Sequence, residues 1–451
     1  MAGAVRRSAG GALWGDCSQG EGARCGAQPG CAGGGRMGHR RKALVTGVGI
    51  LSAQGRGMEA HVNALRGYAL AGEHQPSLQR AGVPVQMAAC VPQHHQPDPP
   101  AHAPTAHFAR AAADDAVRDA GLARAPCAVS IGCGMGHPGA LASAGSALSS
   151  GERRRAVGPR FSASVLPNAP ASAVAIDHRS TGSCLAPSTA CAAGAHAIRD
   201  ALMLIQSGEA DAVLAGGAEA CADPVSMLAF ARARALSSTG VARPFDTCRD
   251  GFVLAEGASV LLVESDESAR SRGAAAYAEI TGAGSTCDAH HEMAPKPDGD
   301  GGARAMEMAL SSTLRNAHDA PATVDYVNCH AAGTPAGDVA EAFALRKVFC
   351  QSKGRSVPSI GSLKGTLGHM LGAAGAAETA ITCYAMHKGF APGTPGLEEL
   401  DQACLLPPEK MLFVNDEHRQ VDLVLSNSFG FGGTNACIAL RRVGQDGKEA
   451  G

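Results

Sequence analysis

The chain reads as an α/β protein with buried sheets. Short apolar runs of β-type residues alternate with longer segments of helical period, the pattern of sheets covered by helices. At 451 residues it exceeds the usual size of one core, so two domains or one large duplicated domain are expected. Its 58 glycines imply many close backbone approaches. In order, strands are predicted at 43–46, 128–131, 212–215 and 260–263, then at 324–327, 357–360 and 423–426. Helices are predicted at 108–120, 192–206, 302–315 and 336–349, with a further small-residue helix at 371–382. The helix at 192–206 is apolar nearly all round and is therefore expected to be buried. No repeat is visible in the residues themselves.

Composition excludes more than it assigns. A hydrophobic content of 45% with 18% charged residues suits a globular protein, and no apolar run reaches the roughly 18 residues of a membrane span. The formal net charge of -2 gives no general attraction to nucleic acid or to an anionic membrane. The 16 cysteines lack the dense spacing of a secreted disulfide scaffold and contain no C-x-x-C pair, which points to a reducing compartment.

Residues 1–42 form a Gly-, Ala- and Arg-rich start without a packing period. Arg6, Arg7, Arg24, Arg36, Arg40, Arg41 and Lys42 face only Asp16 and Glu21. An organelle transit peptide needs such an acid-poor start, and a mitochondrial destination is expected, with plastid and cytoplasm as alternatives; a floppy extension, or translation from Met37, reads equally well. The Pro- and His-rich stretch 94–107 is expected to be a surface loop, with its four histidines a weak candidate for metal. Residues 444–451 read as a tail.

Four islands carry chemistry. Pro187-Ser188-Thr189-Ala190-Cys191-Ala192-Ala193-Gly194 sets a cysteine at the predicted start of a helix, where unpaired N–H groups and the helix dipole favour the thiolate that attacks thioesters. The small residues after it let that helix start lie close to a neighbour. Asn328-Cys329-His330 places a histidine at a strand end, where α/β active sites collect. Lys364-Gly365-Thr366-Leu367-Gly368-His369 adds a lysine and a second histidine in a Gly-bounded turn. Asn427-Ser428-Phe429-Gly430-Phe431-Gly432-Gly433-Thr434-Asn435 is a Gly-rich loop whose backbone N–H groups could approach a ligand. A G-x-G-x-x-G match at Gly134 to Gly139 lacks the acidic residue about 20 positions on that a dinucleotide site wants, since Gly158-Pro159-Arg160 lies there. Cys184, Cys221, Cys329 and Cys437 read as small buried hydrophobes.

In order and wording these islands resemble the β-ketoacyl-acyl-carrier-protein synthases, the condensing enzymes of fatty-acid synthesis. Val45-Thr46-Gly47-Val48-Gly49, Arg243-Pro244-Phe245-Asp246 and Arg249-Asp250-Gly251-Phe252 widen the likeness. The resemblance implies the thiolase-like fold, two similar halves in α-β-α-β-α layers, here 43–270 with Cys191 and 271–443 with the histidines. It implies decarboxylative condensation: Cys191 carries an acyl group, His330 and His369 stabilise the enolate of malonyl-acyl-carrier protein, and Lys364 supports them. Glu378, Asp338 and Glu341 match acidic positions behind the site, and as sequence features they read equally well as ordinary helix carboxylates. Phe431 would pair its N–H with that of Cys191 as an oxyanion hole and gate entry together with Phe429. The implied partners are acyl-carrier protein and a second copy of the chain, meeting around Gly132 to Gly139; no metal or organic cofactor is implied.

One departure stands out. The family usually carries His-Gly-Thr-Ser-Thr where this chain has His330-Ala331-Ala332-Gly333-Thr334, so Thr334 remains to bind the pantetheine arm and the nearer hydroxyl is replaced by Ala332. Two rival readings keep the fold and change the function: a non-decarboxylating thiolase, which would want a second cysteine where Phe429-Gly430-Phe431 lies, and a catalytically weak scaffold partner, against which Cys191 speaks.

Overall fold

The computed structural model describes residues 40–96, 104–125, 127–151, 157–316, 323–351, 355–405, 412–413 and 420–443. The predicted leader up to residue 39 and the tail at 444–451 lie outside the described residues. Eleven strands form the backbone of the fold. They are β1 Ala43–Ser52, β2 Ala128–Gly132, β3 Cys184–Leu185, β4 Ala212–Glu219, β5 Gly257–Ser265, β6 Ala278–Cys287, β7 Tyr326–Asn328, β8 Ser359–Gly361, β9 Leu412–Phe413, β10 Leu423–Gly430 and β11 Thr434–Arg442.

The strands run in the order β9-β8-β7-β10-β11-β6-β1-β5-β4-β2-β3, with the short strand Gly55–Arg56 paired to β1. A duplication is written in this order. Strands β3-β2-β4-β5-β1 pair parallel, parallel, antiparallel and antiparallel. Strands β8-β7-β10-β11-β6 repeat that sequence of pairings. The two sets join where Ala43 to Val45 of β1 pair with Ala278 to Ile280 of β6.

Six helices complete the layers. On the outer face of the first set lie α1 Thr105–Asp119 and α2 Ala169–His178; α3 Ala193–Ser207 and α6 Ala374–Lys388 pack on each other and on both sets of strands; α4 Asp300–Asn316 and α5 Pro335–Leu345 cover the second set. This is the α-β-α-β-α order of the thiolase-like fold. Helix α1 rests directly on β1, because a Cβ at Gly47 or Gly49 would lie 2.1 Å or 1.9 Å from the carbonyls of Ala116 and Ala112.

Several expected elements shift. The helix expected at 336–349 ends at Leu345 and continues as a π turn, Arg346–Cys350. The helix expected from Leu371 begins instead with a 3-10 turn, Leu371–Ala373, before α6. Helix α3 is less uniformly buried than its composition suggests, since Met203 is 46% exposed. Cys184 is exposed on the edge strand β3 rather than buried. The His-rich stretch is not one loop: His94 and His95 sit in a 3-10 turn and His107 in α1, while His102 lies outside the described residues.

The central helices meet backbone to backbone. A Cβ at Gly194 would lie 2.8 Å from the Gly372 carbonyl, and one at Gly375 would lie 2.5 Å from Ser428 Oγ and 2.9 Å from Ala195 N. Gly194→Ala is therefore expected to cost roughly 1–3 kcal/mol through overpacking. Parallel chemical-denaturation curves measure the loss, and coincident midpoints would show that the helices are not this close.

Candidate active site

Cys191 occupies the 3-10 turn Ala190–Ala192 that feeds α3. Ala190 has φ 49°, a left-handed conformation that a residue with a Cβ adopts only when its surroundings impose it. The surroundings are specific. Thr434 Oγ1 donates to the Thr189 carbonyl at 3.0 Å, and a Cβ at Gly430 would lie 2.9 Å from that carbonyl and 3.1 Å from Cys191 N. The turn bearing Phe431 is thus seated against the turn bearing Cys191.

The thiol differs from the expectation that a helix start would favour its anion. Burial pushes it up to about 12, and the nearby Glu219 carboxylate adds to this, while Lys364 and the N–H groups of Phe431 and Cys191 pull it down. Cys191 is only 7% exposed. The dipole of a helix start amounts to about half a charge, too little to offset full removal of a thiolate from water. At rest Cys191 is a thiol.

His330 follows β7, and His369 follows Gly368, whose φ of 69° makes the reversal before α6. The two imidazoles meet edge to face, with centroids 5.2 Å apart at 80°. Phe252 stands edge-on to His369 at 5.0 Å, and Phe429 lies 5.9 Å from His330. Both rings are held neutral: burial and the Lys364 charge lower His330 and His369 well below the usual imidazole range, and His369 lowers His330 further. A neutral imidazole keeps one N–H to donate.

Lys364 and Glu378 form an ion pair at 2.6 Å with side chains 0% and 1% exposed. Asn328 Nδ2 donates to the second Glu378 oxygen at 2.9 Å. Glu341 accepts from the backbone N–H groups of His330 at 2.9 Å and Ala331 at 2.7 Å and from Asn427 Nδ2 at 3.0 Å, and burial raises it to about 7. Asp338 accepts from the N–H groups of Phe245 and Gly333, with burial raising it to about 6. Glu341 thus fixes the backbone of His330, Asp338 that of Gly333 just after it, and Glu378 the side chains of Lys364 and Asn328. Thr334 is half-buried at the start of α5, and Ala332 packs in one apolar cluster with Cys191, Phe252, Leu371 and Phe431.

One buried carboxylate escaped the sequence reading. Glu219, at the end of β4, accepts from Gly134 N at 2.7 Å and Gly372 N at 3.0 Å, and so ties the loop after β2 to the turn before α6. The first two N–H groups of the G-x-G-x-x-G match, those of Gly134 and Met135, are directed at Glu219. Its only sequence signal is an acid ending a buried strand. Among the described residues, no group of three or more His, Cys, Asp or Glu is disposed to hold a metal.

Residues 77–269 match the family model of the β-ketoacyl synthase N-terminal domain, and residues 277–398 match that of the C-terminal domain. The chain belongs to the β-ketoacyl synthase family. It is 36% identical over 438 residues to a mitochondrial 3-oxoacyl-acyl-carrier-protein synthase of Arabidopsis thaliana, covering 89% of this chain and 94% of the relative. It is 40% identical over 349 residues to 3-oxoacyl-acyl-carrier-protein synthase 2 of Coxiella burnetii, covering 74% and 81%. Among solved structures, a type II PKS acyl-carrier protein in complex with its ketosynthase bound to the hexaketide superposes with a TM-score of 0.78 at 27% identity, covering 90% of this chain and all of that one.

The electrostatics predict how the thiol titrates. Because burial raises Cys191, its alkylation by iodoacetamide should keep accelerating above pH 9 without a plateau. Lys364 lowers the thiol's pKa, so Lys364→Met should move the curve to higher pH and slow alkylation at any fixed pH. Peptide mapping of modified Cys191 measures both. A plateau near neutrality, or faster reaction in Lys364→Met, would contradict this reading.

Proposed function

We propose that this chain condenses an acyl thioester with malonyl-acyl-carrier protein, releasing CO2 and giving a 3-oxoacyl-acyl-carrier protein in fatty-acid elongation. The observation that carries the reading is that Cys191 shares one buried cluster with Phe252, that Phe252 stands edge-on to His369 and His369 to His330, and that the Lys364 charge acts on the thiol and on both imidazoles. In the first half-reaction, the Cys191 sulfur, giving up its proton, attacks the acyl thioester carbonyl and expels the carrier thiol. The N–H groups of Cys191 and Phe431 receive the oxyanion. In the second, the malonyl carboxylate leaves as CO2, and the negative charge moving onto the thioester oxygen is met by N–H donors of His330 and His369. The enolate carbon then bonds to the Cys191-bound carbonyl, and the carbon–sulfur bond to Cys191 breaks.

Burial, with the Lys364 charge added to it, keeps both imidazoles unprotonated as donors; Lys364 is held by Glu378 and does not act on substrate itself. Phe431 and Phe429 flank the entry, and Thr334 offers the hydroxyl for the pantetheine arm. Ala332 makes the neighbouring wall apolar. A thiolase is disfavoured because Phe429-Gly430-Phe431 stands where its second cysteine is wanted, and a scaffold because the Cys191 and histidine constellation is complete.

Acyl-carrier protein is the partner we infer, supported by the ketosynthase complex above. Mitochondrial residence is supported by the Arabidopsis relative and the acid-poor start, and import of the full chain into isolated mitochondria tests it. A homodimer is supported by the exposed edge strand β3 and by Leu166 and Ile176, exposed at 51% and 72%. Light scattering at micromolar concentration should give twice the chain mass, and a monomer mass would refute the dimer.

Two variants separate the half-reactions. Cys191→Ala should form no acyl adduct by intact mass while keeping its fold. His369→Ala should still acquire the acyl group on Cys191 but lose CO2 release by roughly 100-fold or more, since its donor acts only as the enolate forms. Acyl adduct on Cys191→Ala, or blocked acylation with intact decarboxylation in His369→Ala, would overturn the assignment.

A further inference from the structure

The Cys191 turn is tied to the rest of the site by a side-chain relay that the mechanism above does not use. Thr189, two residues before Cys191, places its Oγ1 2.7 Å from His196 Nδ1, and His196 Nε2 lies 2.8 Å from Ser285 Oγ. His196 is the fourth residue of α3, and Ser285 is on β6. Burial, reinforced by Arg199, lowers its pKa, so the imidazole is neutral. A neutral ring carries one donor and one acceptor, which two hydroxyls can satisfy together.

The far end of the relay leads back to the site. Ser285 is paired in β6 with Ala436 of β11, and the strand end just beyond it carries the Phe431 turn: Asp288 N donates to the Gly433 carbonyl at 2.9 Å, and Asn435 Nδ2 donates to Asp288 Oδ1 at 2.8 Å. Gly432 N donates to the Glu292 carbonyl at 2.7 Å. The Cys191 turn and the Phe431 turn are therefore linked twice, directly by Thr434 Oγ1 on the Thr189 carbonyl and indirectly through His196. Ala190, between Thr189 and Cys191, holds the strained φ of 49° that such ties must maintain.

We infer that His196 is a positioning residue which, by joining Thr189 to Ser285, sets the spacing between the Cys191 and Phe431 N–H groups and so the fit of the oxyanion hole. This rests on the assignment of those two N–H groups under the proposed function. An oxyanion hole works only if its donors converge on one atom, and a donor that drifts loses most of its effect. His196 touches neither the thiol nor substrate. It acts chiefly on acyl transfer, where the oxyanion forms, and on a displacement at sulfur only through the thiol's pKa.

Two reactions of the same thiol make the test. Acylation by acyl-carrier protein needs the hole in its transition state, whereas alkylation by iodoacetamide feels the same N–H groups only through the thiol's pKa. In His196→Ala and in Thr189→Val, acylation of Cys191 should fall by about tenfold to a hundredfold, with alkylation at one fixed pH falling by a clearly smaller factor. The double variant should be no slower than the slower single one, because both cut the same relay. His196→Gln, whose amide supplies a donor and an acceptor, should recover part of the rate. If His196→Ala proves insoluble, Thr189→Val carries the comparison alone, since it removes one hydroxyl at nearly constant volume. Unchanged acylation, alkylation falling in step with acylation, or additive losses would each overturn the inference. Wild-type enzyme that forms no acyl adduct would instead defeat the proposed function before any variant is compared.

Discussion

The contact on which the molecule depends is the backbone approach of its two central helices. Gly194 and Gly375 occupy the crossing of α3 and α6, and Gly217 and Gly372 extend it into β4 and the turn before α6, each without room for a side chain. This closeness draws the starts of both helices into the interior, and with them Cys191, which leads into α3, and His369, which precedes α6. The duplication makes these positions equivalent, three residues before each helix lying Ala190 and Leu371, both at positive φ. The abundance of glycine and alanine and an aromatic content of 4% follow from layers packed this tightly, since bulky rings have no space between them.

Burial then dictates the electrostatics. Taken out of water, each ionisable group retreats toward its neutral form unless a partner holds its charge. Lys364 has Glu378 at 2.6 Å, the two imidazoles have none and stay neutral, and the thiol keeps its proton. The charges of the reaction, on sulfur and then on the enolate oxygen, arise only transiently and are met by donors fixed in advance, which cost no reorganisation.

How far this could be read beforehand differed by kind of feature. The buried strands at 128–131 and 212–215 were legible because a parallel strand covered on both faces is a continuous apolar run. Strand β6, with its Gly, Ser and Thr residues, carries no such run, and β3 is two residues long, so neither was predicted. The duplication lies in the order and direction of strands rather than in repeated residues, which is why no repeat was visible. Cys191, His330, Lys364 and His369 were legible as motifs. Glu219 and the link from His196 to Ser285 were not, because their partners lie far away in sequence. The thiol's raised pKa was also invisible, since local position announces the helix start but not the depth of burial.

The central claim is that carbon–carbon bond formation on Cys191 is coupled to loss of the malonyl carboxylate. A single-turnover experiment with isolated acyl-Cys191 enzyme and malonyl-acyl-carrier protein labelled in that carboxylate tests it most directly. The account predicts one labelled CO2 per 3-oxoacyl-acyl-carrier protein formed, with the acyl mass disappearing from Cys191 in step. Label retained in the product, or CO2 released while the acyl group stays on Cys191, would contradict it.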